Sequence, residues 1–126
     1  MTLTTEVPKD QLTDWFKLFS LMQSSGVSLV RTPDALADES QGKLKKATKT
    51  IKQEIEGGAL LYQAMEKKSR IFPEITIWMI KAGEVGGVMD EAAQRIVRLL
   101  EVFKSDPEFE VNSKEEMAYF CIVMRF

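Results

Sequence analysis

The sequence predicts an all-α fold, a compact bundle of six antiparallel helices, and three observations carry that reading. Apolar residues recur at helical spacing in one stretch after another, glycines and prolines punctuate the gaps, and no segment alternates with period two for long enough to make a strand. The gaps are short, which favours neighbours that reverse direction.

Leu12, Trp15, Phe16, Phe19 and Met22 fall at i, i+3, i+4, i+7 and i+10, one face of a first helix that Gly26 stops. Thr32-Pro33-Asp34 places a capping hydroxyl ahead of a first-position proline and an acid, the start of a second helix that carries Leu36 and ends near Ser40. A turn or less of helix is expected before it, at Ser28 to Arg31. Leu44, Ala47, Thr48, Ile51 and Ile55 form a third stripe, closed by Gly57-Gly58, where both residues can take positive φ. Leu60, Leu61, Ala64 and Met65 make a shorter helix running to Lys67-Lys68, whose charge suits a helix C-terminus. Phe72-Pro73 marks a break and a restart. Ile75, Trp78, Met79 and Ala82 continue at helical spacing, and Ile77 and Ile80 make this fifth helix apolar nearly all round, hence central. Gly83-Glu84-Val85-Gly86-Gly87 reads as a glycine-rich connection. The sixth helix follows, burying Met89, Ala92, Ala93, Ile96, Val97, Leu100 and Phe103, with Asp90-Glu91 in its first turn and Asp106-Pro107 closing it.

Composition sets limits on function. With 44% hydrophobic and 29% charged residues, the 126-residue chain has the balance of one ordinary globular domain and lacks the signature of disorder. A net charge of -2 gives no global draw to nucleic acid or anionic lipid, so any basic contact is local. Lone Cys121 cannot form an internal bridge, in keeping with a reducing compartment. The opening Met-Thr-Leu-Thr-Thr-Glu has no basic segment followed by an apolar run, so no signal peptide is expected there. The most apolar stretches, 71–80 and 117–124, fall short of the roughly 20 residues a membrane-spanning helix needs, and the sequence as it stands is not expected to cross a bilayer.

Histidine is absent, which removes Ser-His-Asp and Cys-His catalysis, the usual neutral-pH general base and the commonest zinc ligand. Neither a phosphate-binding Gly-x-x-x-x-Gly-Lys-Ser/Thr nor a dinucleotide-type Gly-x-Gly-x-x-Gly occurs. No cofactor and no small-molecule substrate is expected, and the chain reads as a binding module, not an enzyme. A carboxylate-only, magnesium-dependent hydrolase is disfavoured because no pair of acids sits in an evidently apolar segment. A stand-alone helical regulator remains the alternative from another class.

Taken in order, Gly26-Val27-Ser28-Leu29, Gly58 with Leu61, Ala64 and Met65, Phe72-Pro73, and Gly83-Glu84 with Gly87 and Met89 form a set of elements that resembles the cytoplasmic domain of the type II secretion system protein F and type IV pilus PilC family. Ser28 stands where that family usually has proline, Pro33 where it has leucine, and Gly86 replaces a small polar residue. The resemblance covers about residues 9–104, leaving 1–8 as an extension and 105–126 as a linker and partial helix. It implies a non-enzymatic adaptor at the cytoplasmic face of a bacterial inner membrane, docking the assembly ATPase and neighbouring platform proteins and pairing with itself. Family members carry membrane helices beside two copies of such a domain, so a fragment, or a departure from that topology, is implied.

The tail bears on that choice. Met117, Phe120 and Met124 repeat the spacing of Leu12, Trp15 and Phe19, and Glu110-Val111 precedes them as Glu6-Val7 precedes the first set. These residues read either as the first helix of a second copy or as a lone C-terminal helix.

Among conspicuous residues, Gly83, Glu84 and Gly87 could cradle an anion, but a tight inter-helix corner in which Glu84 caps a helix end is the favoured reading. Lys43, Lys45, Lys46, Lys49 and Lys52 give one helix a basic side suited to an acidic partner or a phospholipid headgroup. Glu54 and Glu56 favour a merely solvated face instead. Asp34, Asp38 and Glu39, and Asp90 with Glu91, are the carboxylate clusters that suit a hard cation, although cap and surface roles explain them more simply. Trp15, Phe72 and Trp78 are assigned to the core.

Overall fold

The computed structural model describes residues 6–105, which form six α-helices: α1 (Lys9–Ser24), α2 (Thr32–Asp38), α3 (Gly42–Glu56), α4 (Leu61–Glu66), α5 (Glu74–Gly86) and α6 (Met89–Ser105). No strand occurs among the described residues. The predicted tail elements, from Asp106 to Met124, lie outside them.

The stripe on α1 decides where the core sits. Leu12, Trp15, Phe16 and Phe19 are buried, and the Trp15 ring lies 4.9 Å from Phe16, edge-on, and 5.0 Å from Phe72, which enters from the α4–α5 turn. Edge-on and tilted arrangements suit the aromatic quadrupole. Ile75 and Ile80 of α5 and Ile96, Leu99 and Phe103 of α6 complete the same cluster. α5 is buried on most of its circumference, as its composition predicts. One polar link crosses this core: Trp15 Nε1–H donates to Thr48 Oγ1 at 3.0 Å, and the Thr48 hydroxyl donates to the Leu44 carbonyl at 2.7 Å. Both polar groups are thereby satisfied away from water.

α1 and α6 lie side by side in opposite directions. The Ser24 hydroxyl, at the end of α1, donates to Asp90 Oδ1 at 2.7 Å, while Asp10, near its start, pairs with Lys104 at 2.9 Å. α1, α3 and α5 each close on a glycine of positive φ, Gly26, Gly58 and Gly87, with the next N–H reaching back to Met22, Glu54 and Gly83 carbonyls respectively. Left-handed backbone there satisfies carbonyls that the helix leaves unbonded.

Several expectations are corrected. Gly83 to Gly86 continue α5 as helix, and only Gly87 turns the chain. Gly57 keeps a negative φ, so Gly58 alone makes the turn after α3. The Thr32 hydroxyl caps nothing: it donates to the Ser28 carbonyl at 2.8 Å, because a turn at 29–31 already precedes α2. Leu60 and Ala82 are exposed, Met22, Trp78, Met89 and Val97 are half-buried, and Leu99, which the stripe on α6 omitted, is fully buried.

Candidate docking face

α3 buries Leu44, Ala47, Thr48 and Ile51 and turns its lysines outward, because at about 100° per residue the positions between those four fall on the opposite side. The five lysines are not equivalent. Lys43 pairs with Glu6 at 3.3 Å, and Lys52 pairs with Asp34 of α2 and with Glu56 at 3.9 Å. The hydrogen bond and charge of Asp34 hold the Lys52 ammonium above the ordinary lysine range. Lys45, Lys46 and Lys49 pair with no carboxylate among the described residues.

Tertiary folding adds cations that the reading of α3 alone missed. Lys67, Lys68 and Arg70, from the α4–α5 turn, line with Lys43 and Lys46 a cleft of about 430 Å³. Ala47 and Ile71 contribute to its wall, and Glu6 is the one carboxylate in its lining. Glu6 is fixed there because its N–H donates to the Arg70 carbonyl at 3.0 Å, and its carboxylate reaches both Lys43 and Arg70, the latter at 3.7 Å. Lys67 pairs with Glu54 at 3.0 Å. Lys67-Lys68 in the sequence signalled only a helix C-terminus, and Arg70 carried no signal.

The glycine corner is a structural joint. A Cβ on Gly83 would lie 2.5 Å from Ala92 Cβ, so α5 and α6 meet there at a distance only glycine allows. Glu84 reaches sideways to α4, accepting hydrogen bonds from the Leu61 and Tyr62 N–H groups at 2.8 and 3.0 Å. Those donors open α4 and have no partner within it. Phe72 is fully buried, and Pro73 precedes the first turn of α5.

The acidic clusters are dispersed. Asp34 is engaged by Lys52, while Asp38 and Glu39 line a separate groove of about 670 Å³ with Asp14 and Trp15. Asp90 accepts from Ser24 and Gln94, and Glu91 pairs with Arg95 at 3.7 Å. Among the described residues no group of three or more acids, cysteines or histidines is placed to hold a metal ion, and no helix is long and apolar enough to cross a membrane.

Similarity to known proteins agrees with this architecture. Residues 15–124 match the pattern of type II secretion system (T2SS), protein F. The chain is 29% identical over 107 residues to the type IV pilus assembly protein PilC of Myxococcus xanthus (strain DK1622), covering 84% of this chain and 25% of that protein. It is 33% identical over 78 residues to the type II secretion system protein F of Xanthomonas campestris pv. campestris, covering 61% of this chain and 19% of that protein. The chain thus spans about a quarter or less of the length of these relatives. Matched over most of its length, this all-helical chain belongs to the type II secretion system protein F family, whose members are structural platform components and not enzymes.

Proposed function

We propose that this chain is a non-enzymatic docking domain of the inner-membrane platform of a type II secretion or type IV pilus assembly system. It receives the assembly ATPase and neighbouring platform proteins on its charged exterior and associates with itself. The observation that carries this reading is the family match over residues 15–124, joined to a helical body whose basic face leaves Lys45, Lys46 and Lys49 without an intramolecular carboxylate among the described residues.

In this role the domain passes on displacement and breaks no bond. ATP-driven motion of the motor enters at the docking face and travels through a continuous, close-packed core, which has low compressibility. Exposed ion pairs contribute little to affinity singly, so docking through such a face is reversible and salt-sensitive.

Light scattering of the purified chain over a range of concentrations, with and without the ATPase encoded by the same system, tests the proposal. Self-association together with a mass shift on adding the ATPase supports it. A strict monomer indifferent to the ATPase overturns it in favour of an independent helical module.

A further inference from the structure

Building on the docking role, we propose that the basic cleft between the start of α3 and the α4–α5 turn is the receptor for an acidic segment of a protein partner, a run of aspartates and glutamates. The cleft gathers Lys43, Lys46, Lys67, Lys68 and Arg70 around one carboxylate. That carboxylate, Glu6, shows what chemistry the cations take: it sits at the cleft edge, bridging Lys43 and Arg70. Beside it, Lys46 and Lys68 line the same cleft with no carboxylate partner among the described residues. Lys43 and Arg70 share one carboxylate while Lys46 and Lys68 line the same cleft without one among the described residues, so the cations call for more than one carboxylate, which a run of acidic residues supplies.

The surroundings favour a peptide over a bilayer. Among the described residues the exposed large apolar side chains are Leu21, Val30, Leu60, Val85 and Val88, and none of them lines the cleft. Val85 and Val88 flank the α5–α6 corner, Leu60 adjoins the α4 start that Glu84 holds, and Leu21 precedes the Ser24–Asp90 contact by one turn. The cleft lies at the opposite end of α5, about 20 Å away along its axis. Among the described residues no exposed large apolar side chain lines the cleft as a membrane anchor, and a net charge of -2 opposes long-range attraction to an anionic surface. An acidic peptide needs only the local field.

The test uses the full chain and a fluorescein-labelled oligoglutamate peptide, followed by anisotropy, with the oligoglutamine peptide as control. Binding of oligoglutamate alone is expected. It should weaken about tenfold or more in the Lys46→Glu/Lys68→Glu variant, and be abolished near 1 M salt, where the screening length is about 3 Å. The Lys81→Glu/Arg98→Glu variant carries the same change in net charge away from the cleft and should bind as the parent does. Thermal melts of each variant verify folding, and Lys46→Gln/Lys68→Gln replaces the reversal if that variant melts early.

Equal binding by the cleft variant, equal binding of oligoglutamine, or capture of phosphatidylglycerol vesicles in place of the peptide would overturn the proposal. ATPase binding that survives Lys46→Glu/Lys68→Glu unchanged, with no peptide bound, rejects the cleft and leaves the platform role standing. Cation-dependent peptide binding without any response to the ATPase keeps the cleft and removes the ATPase as its partner.

Discussion

The Ala92 Cβ occupies the space that a side chain on Gly83 would need, since a methyl group there would stand 2.5 Å from it, against the 3.5–4.0 Å at which carbon atoms pack. Gly83→Ala should therefore lower stability by about 1–3 kcal/mol, despite a helix-propensity gain of about 1 kcal/mol. Chemical denaturation measures it, and adding Ala92→Gly should restore part of the loss. Parental stability in the single variant would show that α5 and α6 can separate at no cost.

Gly86 lies one turn further along the same helix and behaves oppositely. A Cβ there meets only Val88 Cγ2, at an ordinary 3.7 Å. Gly86→Ala is expected to raise stability by about 0.4–1 kcal/mol through loss of unfolded-state freedom. A lowered melting temperature would contradict the helical geometry assigned to this position.

Thr48→Val keeps the side-chain shape but removes the oxygen that accepts the Trp15 N–H. A buried indole donor left unpaired costs about 1–3 kcal/mol. The same substitution in a Trp15→Phe background should cost less, because no donor remains, and a double-mutant cycle in urea isolates the difference.

Glu84→Ala removes the acceptor for two amides at the start of α4 and should cost about 0.5–2 kcal/mol, in the range of other helix caps. Hydrogen exchange localises the effect: the Leu61 and Tyr62 amides should exchange faster while those of α1 keep their protection. Glu84→Gln, which retains one acceptor, should fall between.

The Asp10–Lys104 pair gives a pH signature. Its hydrogen bond and charge hold the Asp10 carboxyl below its ordinary pKa and the Lys104 ammonium above its own. Stability from Asp10 is complete above the ordinary carboxylate pKa and is lost as pH falls through the lowered one. Stability from Lys104 is complete below the ordinary lysine pKa and is lost as pH rises through the raised one. NMR titration should find Asp10 titrating low, and Lys104→Gln should return it toward the ordinary value. Because the pair is exposed, salt should diminish the shift.

Helix order was legible because each apolar stripe is local and most boundaries carry a glycine or a proline, as at Gly26, Gly58 and Pro73. What depended on another helix was not. Glycines at 83 and 86 carry the composition of a loop, yet Gly83 is small because of Ala92, which approaches from α6. Thr32 has the sequence of a cap, and only the turn at 29–31 redirects its hydroxyl. The basic side of α3 was visible as Lys43 to Lys52, but the cleft needs Lys67, Lys68 and Arg70 brought beside it from the α4–α5 turn, a juxtaposition with no local signature.

The opposed run of α1 and α6 is fastened near both ends, by Ser24 to Asp90 and by Asp10 to Lys104. Sliding one helix past the other by a single turn, about 5.4 Å, would have to break both fastenings at once and disturb the core that Phe16 and Phe19 of α1 share with Ile96, Leu99 and Phe103 of α6. The shared core, more than the two exposed fastenings, keeps the pair in register, so α1 and α6 are expected to move as one body under an axial load.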